Sequence, residues 1–536
     1  MEYINLSNIK ITQNNIKFEF LYKSNTTTNN IYFKDQNNNK YKCDILQCNN
    51  KIKYDYYNEE CYIARVELIL HSEQLGQYTI VTNNGKEEIE LEIRNNKNEI
   101  ITEESNSYII FLKKQKIEIK RNTVIISEIR KLEKVKYEFN KQIYGIEKYH
   151  KIFPFRILKR KERKYYLFND RLLYGDDNAE QLFKYINKTN KKFAKKCYFV
   201  LDKDSKEYSR IKKTGKVVRY GSFKHKYLFI NSRMVISSHS SYIDNCFNPF
   251  SKEEMDIYKD CINKQFVFVQ HGVIMNDVRQ YHNRELITAD LFITTTKDEY
   301  NYMIQPDLSY EEGMVVCTGL PRFDRLKDES DKQNIILISP TWRVLNPNDK
   351  FEESEYYNRI QSLLSNDKLN KLINENNYKI KFVLHPVFAK YKEKFMKLKN
   401  DNIQILETSQ IKYYKLFNEC KLLITDYSSI HFDVAFLEKP IIYYQFDKDY
   451  FMKHHYHKGY FDYDKDGFGK VTKTENDTID EIEYYIKNNC KIRNEYKSKI
   501  EKTFQYLDHN NSKRVFDKIL ELDNKQERNY RFNNVH

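Results

Sequence analysis

Glycine and proline are scarce, 12 and 8 residues in 536, and tryptophan occurs once. The most pointed junction in the chain, residues 422–433 (Leu-Leu-Ile-Thr-Asp-Tyr-Ser-Ser-Ile-His-Phe-Asp), has no glycine-rich cradle. That excludes a P-loop or a dinucleotide fingerprint there. The nine cysteines include no C-x-x-C pair, and several sit in apolar strand-like runs. They read as reduced, buried thiols of a cytoplasmic protein, and Cys43 with Cys48 lacks the second pair that a structural metal would need. No apolar run approaches the roughly 20 residues of a membrane span, and the N-terminus shows no basic-then-apolar signal pattern. A protein that is soluble or held peripherally is expected.

Positive charge is abundant instead. A formal net charge of +15 favours an anionic partner: nucleic acid, a phospholipid surface or a phosphorylated substrate. Lysines and arginines are dispersed among acids and form no single-sign stripe with stacking aromatics, which weighs against nucleic acid. The densest basic patch, residues 156–164, reads as a solvated linker or as a contact for anionic headgroups.

A chain of 536 residues should divide into two or three domains. Residues 1–126 alternate β-type runs (16–21, 62–70, 77–81, 89–93, 108–112, 123–126) with Asn-rich turns, which predicts a β-sandwich-like accessory domain. Residues 127–164 read as a charged connector. From 165 the period changes. Runs at 165–168, 197–201, 234–237, 266–269, 291–294 and 315–318 alternate with helical stretches such as 177–187 and 223–231. After the charged segment 327–334 come runs at 335–339, 381–384, 403–406, 422–425 and 441–444, with helices at 413–419, 428–437 and 479–488 and closing helices within 491–523. The expected class is α/β: Rossmann-type lobes at 165–330 and 331–524 facing a cleft, then a tail at 525–536.

In such sheets ligands gather at the carboxyl ends of the strands, and the chemically pointed residues fall there. Ser428 and Ser429 open an expected helix directly after Asp426, offering N–H groups, hydroxyls and a helix dipole to a phosphate, or else an ordinary N-cap. His271, followed by Gly272, is placed for proton transfer or is a turn histidine. Pro386 forces His385 into extended geometry, so its ring projects from the strand end, where a neutral imidazole could donate to a phosphate oxygen. Arg343 could clamp phosphate while Trp342 packs on a base or walls the cleft; alternatively they are a core tryptophan and a surface arginine. Arg322, in a turn set by Gly319 and Pro321, can point between the lobes with Asp324 orienting it. His454, His455 and His457 are not spaced for one helical face, so no metal site is assigned.

In order along residues 165–490, several motifs resemble the CDP-glycerol glycerophosphotransferase family, the teichoic-acid and capsule polymerases and primases. They are Asp176-Asp177-Asn178-Ala179-Glu180, Ser237-Ser238-His239, Asn248-Pro249-Phe250, His271-Gly272 and Gly319-Leu320-Pro321-Arg322. The series continues with Pro340-Thr341-Trp342-Arg343, His385-Pro386, Thr425-Asp426-Tyr427-Ser428-Ser429 with Asp433, and Lys439-Pro440. The resemblance implies a GT-B-like fold and transfer of a polyol phosphate from CDP-glycerol or CDP-ribitol to a hydroxyl acceptor, releasing CMP, at the inner face of the bacterial membrane. It makes His271 the general base and His385 the stabiliser of the donor phosphates. Arg322, Thr341, Trp342, Ser428, Ser429 and Asp433 would line the donor site, and Gly272, Val273, Ile274, Met275, Arg343 and Asp426 join the substrate-binding candidates. Many members follow His-Gly with Thr-Pro-x-Lys; here Val273, Ile274, Met275 and Asn276 follow, and the lysine is missing.

The physics of such a displacement requires an activated hydroxyl, charge on the equatorial oxygens and a good leaving group. CMP leaves readily, so one imidazole base and a cradle of hydroxyl, N–H and arginine groups could suffice. A divalent metal such as Mg2+ could assist, although no carboxylate cluster demands it. Expected partners are the CDP-polyol, a membrane-anchored glycolipid or polymer acceptor and an anionic membrane surface, with no nucleic acid. Two rivals stand: a GT-B glycosyltransferase using a nucleotide sugar, and a non-catalytic basic binder of membrane or nucleic acid, marked by steep salt dependence.

Overall fold

The computed structural model describes residues 3–121 apart from 12–14, 25–29, 49–51, 55–58, 72–73, 84–87, 92–99, 103–107 and 113–115. It then describes 158, 164–240, 248–250, and 264–345 apart from 285, 286, 288, 306, 307, 309 and 311, followed by 350–407, 411–455, 458–524 and 528–531. The expected strand at 123–126 and all of the connector except Leu158 and Lys164 lie outside these residues.

The N-terminal region forms two antiparallel sheets. One orders Arg528–Arg531, Tyr3–Ile11, Asn15–Ser24, Glu59–His71 and Asp44–Cys48; the other runs from Ile100–Thr102 through Tyr108–Leu112, Lys116–Arg121, Gly76–Asn83 and Ile31–Asp35 to Lys40–Lys42. Alternation puts Phe18 and Phe20 on the inner face of the first sheet, 5.7 and 5.4 Å in ring separation from Phe33 of the second. Residues 528–531, expected within a tail, pair antiparallel with Tyr3–Ile11.

Two parallel sheets follow. In space the first runs Val217–Arg219, Cys197–Leu201, Tyr165–Asn169, Ser232–Ser237, Gln265–Phe268, Leu291–Thr294 and Val315–Cys317. The second runs Ile403–Glu407, Lys379–Leu384, Ile335–Ile338, Leu422–Thr425, Ile441–Tyr444 and Gly469–Thr472. Both therefore begin 3-2-1-4-5 in chain order, the Rossmann arrangement, and the chain is α/β with GT-B-like lobes and an antiparallel β-rich N-terminal region. Leu291–Thr294, Ile335–Ile338, Leu422–Thr425 and Ile441–Tyr444 are buried at every position because helices cover both faces. The last helix, Asn511–Asn524, returns to the first lobe and buries Val515, Phe516 and Ile519 in its core. Among the described residues, no helix is long and apolar enough to cross a membrane.

Candidate functional site

The strand order reverses between Tyr165–Asn169 and Ser232–Ser237 in the first lobe, and between Ile335–Ile338 and Leu422–Thr425 in the second. The residues just past these strands are Asp170, Arg171, Ser238 and His239 on one side, and Ser339 to Arg343 and Asp426 to Ser429 on the other. A ligand crevice forms at such a reversal.

The two reversals differ in what already occupies them. In the first lobe, Asp170 accepts from the N–H groups of Asp177 (3.0 Å), Ala179 (2.9 Å) and Glu180 (3.2 Å) and from the Ser238 hydroxyl (2.6 Å). The start of the helix Asn178–Thr189 is thus filled by the protein's own carboxylate. Burial, and then Asp177, push the Asp170 pKa up. In the second lobe the corresponding helix begins later than expected, at Ile430, and Ser429 at its N-cap makes no side-chain capping bond. Neither the Ser428 nor the Ser429 hydroxyl has a partner among the described residues, so both are available to a ligand.

His271 follows Gln270, whose backbone is left-handed at φ 61°. The strain is held in place on every side. The Gln270 carbonyl accepts from Asn178 Nδ2 at 2.7 Å, and its Nε2 donates to Ile293 O at 2.8 Å and Glu299 at 3.0 Å. Glu299, buried and pushed up to about 7 by that burial, also accepts from the Ile274 N–H at 2.7 Å. The outcome is a fixed imidazole. Its Nδ1 lies 3.1 Å from the Ser238 carbonyl and must donate to it, which leaves Nε2 with the lone pair. Desolvation lowers the His271 pKa despite the opposing pull of Asp177. The ring is surrounded by protein yet open to the cleft, in its basic form at neutral pH.

Gly272 is where the lobes meet. A Cβ there would stand 2.8 Å from Ser429 Oγ, so a larger residue would have to displace that hydroxyl. Val273, Ile274 and Met275, expected to touch substrate, are buried instead. The Tyr460 hydroxyl donates to Ile274 O at 2.6 Å, and Val273 and Met275 join the core beneath the loop. Their apolar character makes them the footing of His271.

His385 is half-buried, with its Nδ1 accepting from the Val387 N–H at 3.3 Å, so Nε2 carries the hydrogen and can donate. Burial, and then the charge of Arg171, lower its pKa to about 4. Trp342 walls this histidine, its ring 6.3 Å from His385 and 4.3 Å from His455. The Thr341 N–H donates to Asp426 at 2.8 Å, while its buried hydroxyl has no partner among the described residues.

The two arginines read as phosphate clamps are committed elsewhere. Arg343 is 2% exposed and forks onto Asp447 at 2.6 and 3.0 Å, with Asp426 at 2.8 Å. Asp426 is correspondingly buried as a partner of Arg343 and of backbone N–H groups. Arg322 forks onto Asp433 at 2.8 and 2.7 Å, reaches Asp177 at 3.0 Å and donates to the His271 carbonyl at 2.5 Å. Burial disfavours its charge, but Asp433 and Asp177 more than offset that and raise its pKa. Arg322 and Asp433 thus tie the lobes together behind the histidines. Asp324 does not orient Arg322; it accepts from the N–H groups of Asn511 (2.8 Å) and Ser512 (2.7 Å), capping the last helix. These carboxylates are distant in sequence from their arginines, and only the folded chain reveals them.

Sequence reasoning assigned no role to Arg171, Asp170, Glu299 or His239, although His239 stands in a quoted motif. His239 lies 6.3 Å from His271 in ring separation, and burial, then His271, lower its pKa to about 4. Its position at a strand end at the reversal was a usable signal. Among the described residues, no group of three or more His, Cys, Asp or Glu side chains is arranged to hold a metal ion. His454 bonds the Tyr450 carbonyl at 2.9 Å, His455 stacks on Phe451, and His457 lies outside the described residues.

A sequence profile described as CDP-Glycerol:Poly(glycerophosphate) glycerophosphotransferase matches residues 151–521. The chain is 39% identical over 383 residues to the minor teichoic acid biosynthesis protein GgaB of Bacillus subtilis, covering 69% of this chain and 41% of that protein. It is 27% identical to a teichoic acid poly(ribitol-phosphate) polymerase of Bacillus spizizenii, covering 38% of this chain and 33% of that one. A poly(glycerol phosphate) polymerase of the same organism is 29% identical, with 41% and 61% covered. The chain thus spans less than two thirds of these relatives. The structure of the wall teichoic acid polymerase TagF shares the fold, with a TM-score of 0.52 at 16% identity, covering 74% of this chain and 98% of that one.

Proposed function

The chain belongs to the CDP-glycerol:poly(glycerophosphate) glycerophosphotransferase family, and from that premise we propose that it transfers a polyol phosphate from a CDP-polyol to a hydroxyl acceptor in the synthesis of a teichoic-acid-like or capsular polymer. CDP-glycerol is the first donor to test and CDP-ribitol the second, since relatives named for each polymer match. One observation carries the reading. His271, whose Nδ1 is committed to the Ser238 carbonyl so that Nε2 carries the lone pair, borders the very glycine that abuts Ser429 of the other lobe, a hydroxyl without a partner among the described residues.

In the reaction, His271 Nε2 takes the proton of the acceptor hydroxyl as its oxygen bonds the phosphorus next to the polyol. The bond from that phosphorus to the bridging oxygen breaks, and CMP departs with the electron pair. His385 Nε2–H, Ser428 and Ser429 donate to the donor phosphates, while Trp342 and Thr341 border the nucleotide. Asp170 blocks the equivalent anion site of the first lobe, which favours the second lobe as the donor side. The acceptor, a membrane-anchored glycolipid or polymer, approaches from the first lobe, and the enzyme works at an anionic membrane surface on the cytoplasmic side.

The test is CMP release with CDP-glycerol and CDP-ribitol offered separately with a membrane acceptor. His271→Ala should abolish turnover and His385→Ala should lower it at least 100-fold. Wild-type rates in both variants would overturn the assignment.

A further inference from the structure

Among the described residues, most arginines near the cleft carry their own counter-charges; Arg219, at the end of the outer edge strand, and Arg171 do not. Arg322 has Asp433 and Asp177, Arg325 has Asp176, Arg343 has Asp447 and Asp426, and Arg210 has Glu180. Each is balanced within the fold, so none has a full positive charge to offer an anion. Arg171 differs. It stands one residue past Asp170 at the first lobe's reversal point, its N–H bonded to Tyr174 O at 3.1 Å and its side chain exposed. Among the described residues no carboxylate pairs with its guanidinium.

Its place is central. The two neighbouring strand ends on one side carry Ser238–His239 and His271. Its positive field depresses the basicity of His239 and His271 and also reaches His385 in the opposite lobe. A cation felt by imidazoles of both lobes lies where the reacting phosphate must pass between them.

We infer that Arg171 is a catalytic residue that binds the transferred phosphoryl group, its guanidinium gripping the non-bridging oxygens of the phosphorus under attack. This rests on reading the chain as a CDP-polyol transferase. The chemistry needs such a group: as the acceptor oxygen bonds phosphorus and the bond to CMP breaks, charge spreads over the equatorial oxygens. A planar fork matches two of them at once, which an ammonium cannot. The missing counter-charge follows, because the substrate supplies it.

The full chain carrying Arg171→Ala or Arg171→Lys tests this in two assays. In CMP release, Arg171→Ala should lose at least 100-fold in kcat with an unchanged melting temperature, and Arg171→Lys should recover part of the loss. In calorimetry, Arg171→Ala should bind CDP about tenfold more weakly and CMP as tightly as wild type, since CMP lacks the phosphate in question. A kcat within twofold of wild type would overturn the inference, as would a defect confined to the KM of the acceptor or equal loss of CDP and CMP binding. If the wild type releases CMP from neither donor, the transferase reading itself fails, and the role assigned to Arg171 fails with it.

Discussion

At His271 the backbone decides which nitrogen is left for the proposed proton transfer. The left-handed Gln270 turns the ring so that Nδ1 meets the Ser238 carbonyl, and Nε2 is what remains. Because burial lowers the pKa from about 6.5, the basic form persists to lower pH than in a free histidine. The acid limb of the kcat profile should therefore lie below pH 6.5; a limb above that value would contradict the environment described. The neighbouring glycine offers a second check. Gly272→Val places a branched side chain against Ser429, and CMP release should fall at least tenfold while the melting temperature changes little. A fully active Gly272→Val enzyme would show that the contact is irrelevant to turnover.

Among the elements, the helix Ile430–Ala435 carries an instructive liability. His431 is fully buried among Phe432, Tyr443, Phe461, Tyr463 and Phe468, with neither ring nitrogen bonded among the described residues. Burial lowers its pKa to about 3, whereas the unfolded chain protonates near 6.5. Below pH 6.5 the unfolded state binds the extra proton, so this group lowers stability as pH falls until the folded site also protonates near pH 3. His431→Phe should remove that slope, gaining about 2 kcal/mol relative to wild type at pH 5 over its effect at pH 8, as read by denaturant unfolding. An equal effect at both values would refute the cause.

The same elements show what a sequence can disclose. Leu422–Thr425, Ile441–Tyr444 and the helix Tyr413–Glu419 were legible to the residue because buried strands are unbroken apolar runs and the helix has a clear amphipathic period. The strands Val217–Arg219 and Gly469–Thr472 were not, being short, half-polar edges of their sheets. Strand ends also disclosed where His271 and His385 emerge. Pairing stayed hidden: nothing local to Trp342–Arg343 announces Asp447, 104 residues away. That Arg171 has no carboxylate partner among the described residues is likewise visible only in the folded chain.

For the whole molecule, charge and connectivity matter most. A net charge of +15 predicts adsorption to vesicles containing anionic lipid, weakening as salt is raised from 0.1 to roughly 0.5 M because screening shortens the reach of exposed charges. Equal sedimentation with zwitterionic vesicles would remove the electrostatic basis for a peripheral location. Connectivity bears on motion. The chain passes between the lobes near Gly319–Asp324 and again near residues 504–511, and these passages are bonded to each other. Asp324 caps Asn511 and Ser512, and Gly319, at φ 81°, lies against the Asn511 side chain. Two strands of linker pinned side by side behave as a door's paired hinges: opening becomes a swing about one line, and sideways sliding is suppressed. Any parting of the two imidazoles along that line would bring them back to the same separation.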